Sequence, residues 1–310
     1  MKRRDFLRCA GLASAGLTLP GASRAFAKAA TAGGWRTFEV TMNVEVVRPA
    51  GTTRVWVPAP LAVATPYQKP AGPVIFRADG GTAAMATDAR SEATMVAAEW
   101  REGVRPVLAV TSRVSTRNHA VDVTKPAHAP AIDRASLARY LRPTALLPTD
   151  GIVKTTANEI TRDAGNDVEK ARAIYEWIID NTFRDPKTRG CGLGDIRFML
   201  ESKALGGKCA DLNALYVGLA RAAALPARDV YGLRLAKSDL GYASLGAATE
   251  NVTKSQHCRA EVYLTGYGWV PVDPADVRKV VLEEPPGKLA LSDGPVSKAR
   301  ARLFGSWEMN

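Results

Sequence analysis

Gly206-Gly207-Lys208-Cys209-Ala210-Asp211-Leu212-Asn213-Ala214-Leu215 sets a thiol just behind two glycines and at the head of a helical run. The glycine pair predicts a sharp turn, and Leu212, Leu215, Leu219 and Ala223 share one side of a helix over 209–224. Leu225-Pro226 ends that helix, since proline cannot continue it and biases the residue before it away from helical angles. Cys209 therefore falls in the first turn, where unpaired backbone N–H groups and the positive end of the macrodipole favour an anion. A thiol so placed ionises more readily, and the thiolate is the nucleophilic form. The same N–H groups, that of Cys209 included, suit an oxyanion forming on an attacked carbonyl. Asp211 reads as a favourable charge at the positive helix end, without a catalytic part.

A nucleophile of this kind needs a base, and the chain holds three histidines. His119 and His128 lie in or beside a polar, proline-containing stretch and read as solvated surface residues. His257 heads a strand-like run over 257–264 that leads into Thr265-Gly266-Tyr267-Gly268, a hairpin loop with glycines for positive φ. The run over 269–272 returns from it and closes on Asp273. His257 stands eight residues before the loop and Asp273 five after it, so a small offset or bulge sets them side by side. A carboxylate beside imidazole fixes its tautomer and steadies its charged form.

Three segments resemble one family. The nucleophile stretch 206–211 with the following 219–228, the segment His257-Cys258-Arg259-Ala260-Glu261-Val262-Tyr263, and Gly268-Trp269-Val270-Pro271-Val272-Asp273-Pro274 look like the motifs of the bacterial transglutaminase-like superfamily, a relative of the papain-like fold. The resemblance covers about 150–280, with three motifs in the family's order. It implies a catalytic triad of Cys209, His257 and Asp273, no cofactor or metal for the chemistry, and commonly a β-rich N-terminal domain. The family holds cross-linkers, peptidases, amidases and inactive binding modules, so it leaves the reaction open.

The rest of the chain fits an α+β plan. Alternating segments such as 37–47 and 107–114, punctuated by proline and glycine clusters, predict a small antiparallel sandwich over 34–123. Residues 124–135 read as a linker and 136–282 as the catalytic domain, with 283–310 as a C-terminal tail. Within the catalytic domain, Asn166 caps a helix over 167–181 whose buried stripe runs through Val168, Ala171, Tyr175 and Ile178. Helices come first and an antiparallel sheet second. The stretch 236–255, rich in small residues, reads as a loop over the cleft. Trp269 is expected to pack behind the imidazole and shield it from water.

The N-terminus is basic at Lys2-Arg3-Arg4, then apolar, then closes on Ala25-Phe26-Ala27. Its paired arginines followed by Phe6-Leu7 resemble a twin-arginine export signal, so the expected mature protein is periplasmic, with cleavage near Ala27. An uncleaved anchor is the other reading of that segment. The formal net charge of +11 falls to about +7 without it, a moderate excess that suits an anionic envelope surface. No basic tract or aromatic-basic motif points to nucleic acid. The expected partner is a peptide or protein substrate.

Of four cysteines, Cys9 lies in the leader. The remaining Cys191, Cys209 and Cys258 are odd in number, so at least one thiol stays unpaired within the chain. Strand alternation sends Cys258 away from the site if His257 faces it. The spacing of Cys191, Cys209, His257 and Cys258 matches no usual zinc pattern. Cys191 reads as a surface thiol, a partner for Cys258, or a redox lock on Cys209. The sum of these readings is an exported thiol enzyme acting on peptide or isopeptide carboxamides through a thioester, a hydrolase before a cross-linker. A protein cross-linking enzyme and a non-catalytic envelope module are the alternatives.

Overall fold

The computed structural model describes residues 34–89, 91–126 and 132–310. The leader, and the middle of the expected linker with His128, lie outside them.

The N-terminal part folds as the alternation predicts. Eight strands run β1 (Arg36–Glu45), β2 (Thr53–Pro58), β3 (Gln68–Pro70), β4 (Ile75–Asp79), β5 (Thr82–Thr87), β6 (Thr94–Trp100), β7 (Val107–Thr116) and the short β8 (His119–Ala120). β7 carries β1, β3 and β4, and β6 carries β2 and β5, all antiparallel. The two sheets share a core of Val57, Val96, Ala98, Trp100, Leu108 and Val110. Trp100 is the largest of these, and its indole N–H is satisfied by the Asp79 carbonyl at 2.8 Å. Gly81 lies against that ring, where a Cβ would collide with the indole.

The second part follows the helices-then-sheet order: α1 (Arg134–Ala138), α2 (Gly151–Thr161), α3 (Asp167–Asn181), β9 (Phe183–Arg184), α4 (Ile196–Ser202), β10 (Gly206–Gly207), α5 (Cys209–Ala222), β11 (Ala227–Leu233), β12 (Gln256–Leu264), β13 (Gly268–Val272), α6 (Pro274–Glu283), α7 (Gly294–Arg302) and β14 (Ser306–Trp307). Asn166 caps α3 by accepting the Glu169 amide at 3.0 Å, and the stripe through Ala171, Tyr175 and Ile178 is fully buried. Every residue of α5 except Arg221 is buried. It is the central rod of the core, with α2, α3 and α6 around it and the sheet β11–β12–β13 against it.

Residues 303–310 are no free end. The Leu303 carbonyl accepts the Asp273 amide at 2.9 Å, β14 pairs with β8, and the Met309 carbonyl accepts from Thr116 Oγ1 and Arg36 Nη2, each at 2.8 Å. This terminal strap joins the sandwich to the catalytic sheet. Among the described residues no helix is long and apolar enough to cross a membrane.

Candidate active site

The two glycines before Cys209 serve close approach, and neither takes a left-handed φ. A Cβ on Gly206 would meet the Phe183 ring, and one on Gly207 would lie 2.6 Å from the Asp211 Cβ. β10 therefore runs flat beside β9 and delivers Cys209 as the first residue of α5. Asp211 is buried and does more than complement the helix dipole. Its Oδ2 accepts the Lys208 amide at 3.0 Å, and its Oδ1 accepts the amides of Leu193 and Gly194, each at 2.9 Å. The loop carrying Cys191 is thereby clamped to the start of α5. Gly192, at φ +104°, presses so close to the Asp211 carboxylate that no side chain fits there. The Ala210 amide donates to the Cys191 carbonyl at 2.9 Å and is not free for an oxyanion.

His257 and Asp273 meet as expected. The β12–β13 pairing runs from Ala260 opposite Val272 to Leu264 opposite Gly268, which carries Asp273 just past the paired residues. His257 Nε2 lies 2.7 Å from Asp273 Oδ2. The other carboxylate oxygen of Asp273 caps α6, accepting the Asp276 amide at 3.0 Å, and also accepts from Asn213 Nδ2 at 3.2 Å. Asn213 donates as well to the Cys258 carbonyl at 2.6 Å, tying the nucleophile helix to both strands. With Nε2 held by Asp273, Nδ1 is the ring nitrogen left for the Cys209 sulfur.

A second carboxylate stands at the imidazole. Asp276 Oδ1 lies 3.4 Å from His257 Nε2, and both its oxygens are gripped by buried Arg234 Nη2 at 2.6 Å. Asp273-Pro274-Ala275-Asp276 spells a capped helix start with an acid at its third position, and that pattern locates Asp276 in the sequence. Nothing local locates Arg234.

The electrostatics favour an ion pair. Burial, and then Arg234, would lower His257, but Asp276 and Asp273 outweigh them and raise it above its ordinary value. Burial, and then the neighbouring Asp276, pushes Asp273 up. Burial would raise Asp276 too, but Arg234 and His257 hold it well below the carboxylate range. Cys209 is drawn down to about 3: the Cys258 thiol hydrogen bond is the largest cause, burial opposes it, and His257 adds to it.

The expectations for Cys258, Trp269 and His119 need correction. Cys258 does not face away: the sulfurs of Cys191, Cys209 and Cys258 all lie within 4.8 Å of one another. Cys258 sits opposite Tyr231 in the ladder, next to His257 opposite Gly232, and is buried in the same core cluster as Cys209. Trp269 is not behind the imidazole. It pairs with Tyr263, six residues or about 20 Å along β12, and packs on Tyr140 with the Arg228 guanidinium 4.1 Å over its ring. The segment 236–255 is tied down: Glu308 accepts from Ser238, Asp239 and Leu240, and Glu284 accepts from Ala243 and Ser244. His119, too, is half-buried, its ring 5.6 Å from that of Tyr67, and burial lowers it.

A buried thiol at a helix head, an imidazole and a carboxylate on adjoining antiparallel strands define the papain-like class of transglutaminase-like folds. The chain belongs to the transglutaminase-like superfamily, whose model matches residues 154–274. An uncharacterised Haemophilus influenzae protein is 35% identical over 290 residues, covering 88% of this chain and 77% of the relative. The uncharacterised Bacillus subtilis protein YebA is 28% identical over 143 residues, which span 44% of this chain and 19% of YebA. A candidate cysteine protease of known structure from Cytophaga hutchinsonii shares the fold with a TM-score of 0.58 at 17% identity, covering 79% of this chain and 78% of that one.

Proposed function

We propose that the protein is an exported thiol enzyme that opens peptide or isopeptide carboxamides and passes the acyl group to water. The observation that carries this reading is Cys209 as the first residue of α5, its thiol drawn down by Cys258 and His257, with the imidazole bound through Nε2 to Asp273 at 2.7 Å. His257 Nδ1 holds the proton taken from Cys209. The sulfur attacks the carbonyl carbon, and the Cys209 N–H steadies the oxyanion. Collapse breaks the C–N bond, and the departing amine takes its proton from His257, leaving a thioester on Cys209. His257 then removes a proton from water as it attacks, and the thiolate leaves with the acid released. Asp273, steered by Asn213 and the α6 cap, is the orienting residue. Asp276 and Arg234 support the imidazole from behind.

Hydrolysis is favoured over cross-linking because water is always present and no residue here marks a lysine acceptor site. The basic, paired-arginine N-terminus supports export, and an envelope peptide or protein is the substrate class in keeping with it. Incubation with envelope extract followed by mass spectrometry of the Cys209 peptide tests the reading. An acyl adduct is expected in the parent and absent in Cys209→Ala; a parent that never carries one, even when quenched in acid, refutes it.

A further inference from the structure

The acyl-transfer chemistry uses one sulfur, yet three converge. Cys191 reaches the site on the loop clamped by Asp211, and Cys258 from β12. Cys191 has no part in the reaction above and Cys258 serves only as a hydrogen-bond partner of Cys209, and among the described residues none of the three is in a disulfide. The sulfurs lie within 4.8 Å of one another. On a tetrahedral zinc ion with Zn–S bonds of about 2.3 Å, two thiolates stand about 3.8 Å apart, so no pair has more than about 1 Å to close. Buried, weakly hydrated sulfur suits a soft d10 cation and disfavours magnesium or calcium, which need oxygen ligands. The half-buried Cys191 gives such an ion a way in from solvent, and a water can take the fourth position.

We propose that Cys191, Cys209 and Cys258 form a binding site for a thiophilic d10 cation such as Zn(II), which on binding caps the nucleophile and silences it. Spacing along the chain gives no hint of such a site, because the ligands come from a loop, a helix start and a strand that only folding unites. Coordination puts three sulfur lone pairs on the ion and releases the protons of the Cys191 and Cys258 thiols to buffer. The occupied site is closed to a carbonyl carbon, since the lone pair that attacks is the one the metal holds. Asp211 holds Cys191 in reach by fixing the amides of Leu193 and Gly194, so the site is largely formed before the ion arrives.

Titration of the full chain, kept reduced with a phosphine, against a chromophoric zinc chelator tests this, with Co(II) as a spectroscopic probe. The expected result is one ion per chain and a near-ultraviolet thiolate-to-cobalt band. Cys191→Ser is expected to weaken zinc binding by about 10- to 100-fold and to shrink the cobalt band by about one third. The loop position of Cys191 makes it the variant that decides, and Cys258→Ser adds to it where circular dichroism shows a native fold. Absence of saturable one-to-one binding, or binding by Cys191→Ser as tight as the parent's, overturns the proposal. Its failure is distinct from failure of the proposed function. Metal binding without an acyl adduct refutes the hydrolase alone, and an adduct without metal binding refutes the cation site alone.

Discussion

Cys209 is the residue from which the chemistry starts, and its environment sets a measurable pH dependence. Drawn down to about 3, its thiol is ionised across the range where ordinary cysteines near 8.5 are not. Iodoacetamide is therefore expected to modify Cys209 at a rate that is nearly flat from about pH 5 to pH 8. Cys191, raised by burial and then by the charge on Cys209, is expected to react only in alkali. A Cys209 rate that climbs tenfold per pH unit over that interval contradicts the assigned thiolate. The sign for stability follows. The depressed Cys209 contributes above about pH 9 in full and loses that contribution as the pH falls through about 3, whereas the raised His257 contributes below about 6.5 and loses it on going up. Replacing His257 with Gln should flatten the alkaline side of a stability-versus-pH curve measured by urea unfolding. Asp211 is the other decisive residue. Asp211→Ala strips acceptors from three amides, which costs about 1–3 kcal/mol for each that stays buried and unpaired. Lower thermal stability together with faster alkylation of Cys191 is expected, as its loop comes free.

At the scale of elements, the site is the meeting of one helix start with the ends of two strands. The junction between β10 and α5 tolerates no side chain at Gly207, since an added Cβ would lie 2.6 Å from both the Cβ and Oδ2 of Asp211. Gly207→Ala is expected to turn Asp211 off its amides and reproduce the loosened Cys191 loop, read by proteolysis between 186 and 194. Behind the imidazole, Arg234, the residue after β11, joins Asp276 of α6, both almost wholly buried. Arg234→Met leaves the Asp276 charge without its partner and should cost about 3–5 kcal/mol in chemical denaturation. The double change Arg234→Met with Asp276→Leu is expected to recover most of that loss, because a buried pair replaced as a whole is close to neutral. Should the single and double variants unfold alike, the ion pair is not what joins these elements.

For the whole molecule, the terminal strap decides whether sandwich and catalytic sheet act as one body. Trp307 is buried against Tyr67 of the sandwich, their rings 5.4 Å apart, and the Arg259 guanidinium lies 5.5 Å over its ring. Arg259 in turn reaches the Glu308 carbonyl at 2.7 Å and lies 3.6 Å from Asp273 Oδ2. The strap therefore runs from the sandwich to the back of the imidazole's carboxylate. Trp307→Ala should cost about 3–5 kcal/mol and split a single calorimetric transition into two. One undivided transition at the parent temperature would show that the two parts hold together without it.

Sequence by itself determined which residues lead and close the elements. A helix-starting thiol, a strand-leading imidazole and a strand-closing carboxylate each sit beside a glycine, proline or alternation signal, because backbone preferences are local. Register did the remaining work for Asp273, since a hairpin loop sets which strand ends meet. Only the tertiary structure decided that Cys191 and Cys258 join Cys209, that Asp211 clamps a loop, that Arg234 stands behind Asp276, and that Trp269 lies elsewhere. Those contacts link residues distant along the chain through packing and burial. Their energies depend on which faces meet, and no short stretch of sequence carries that information.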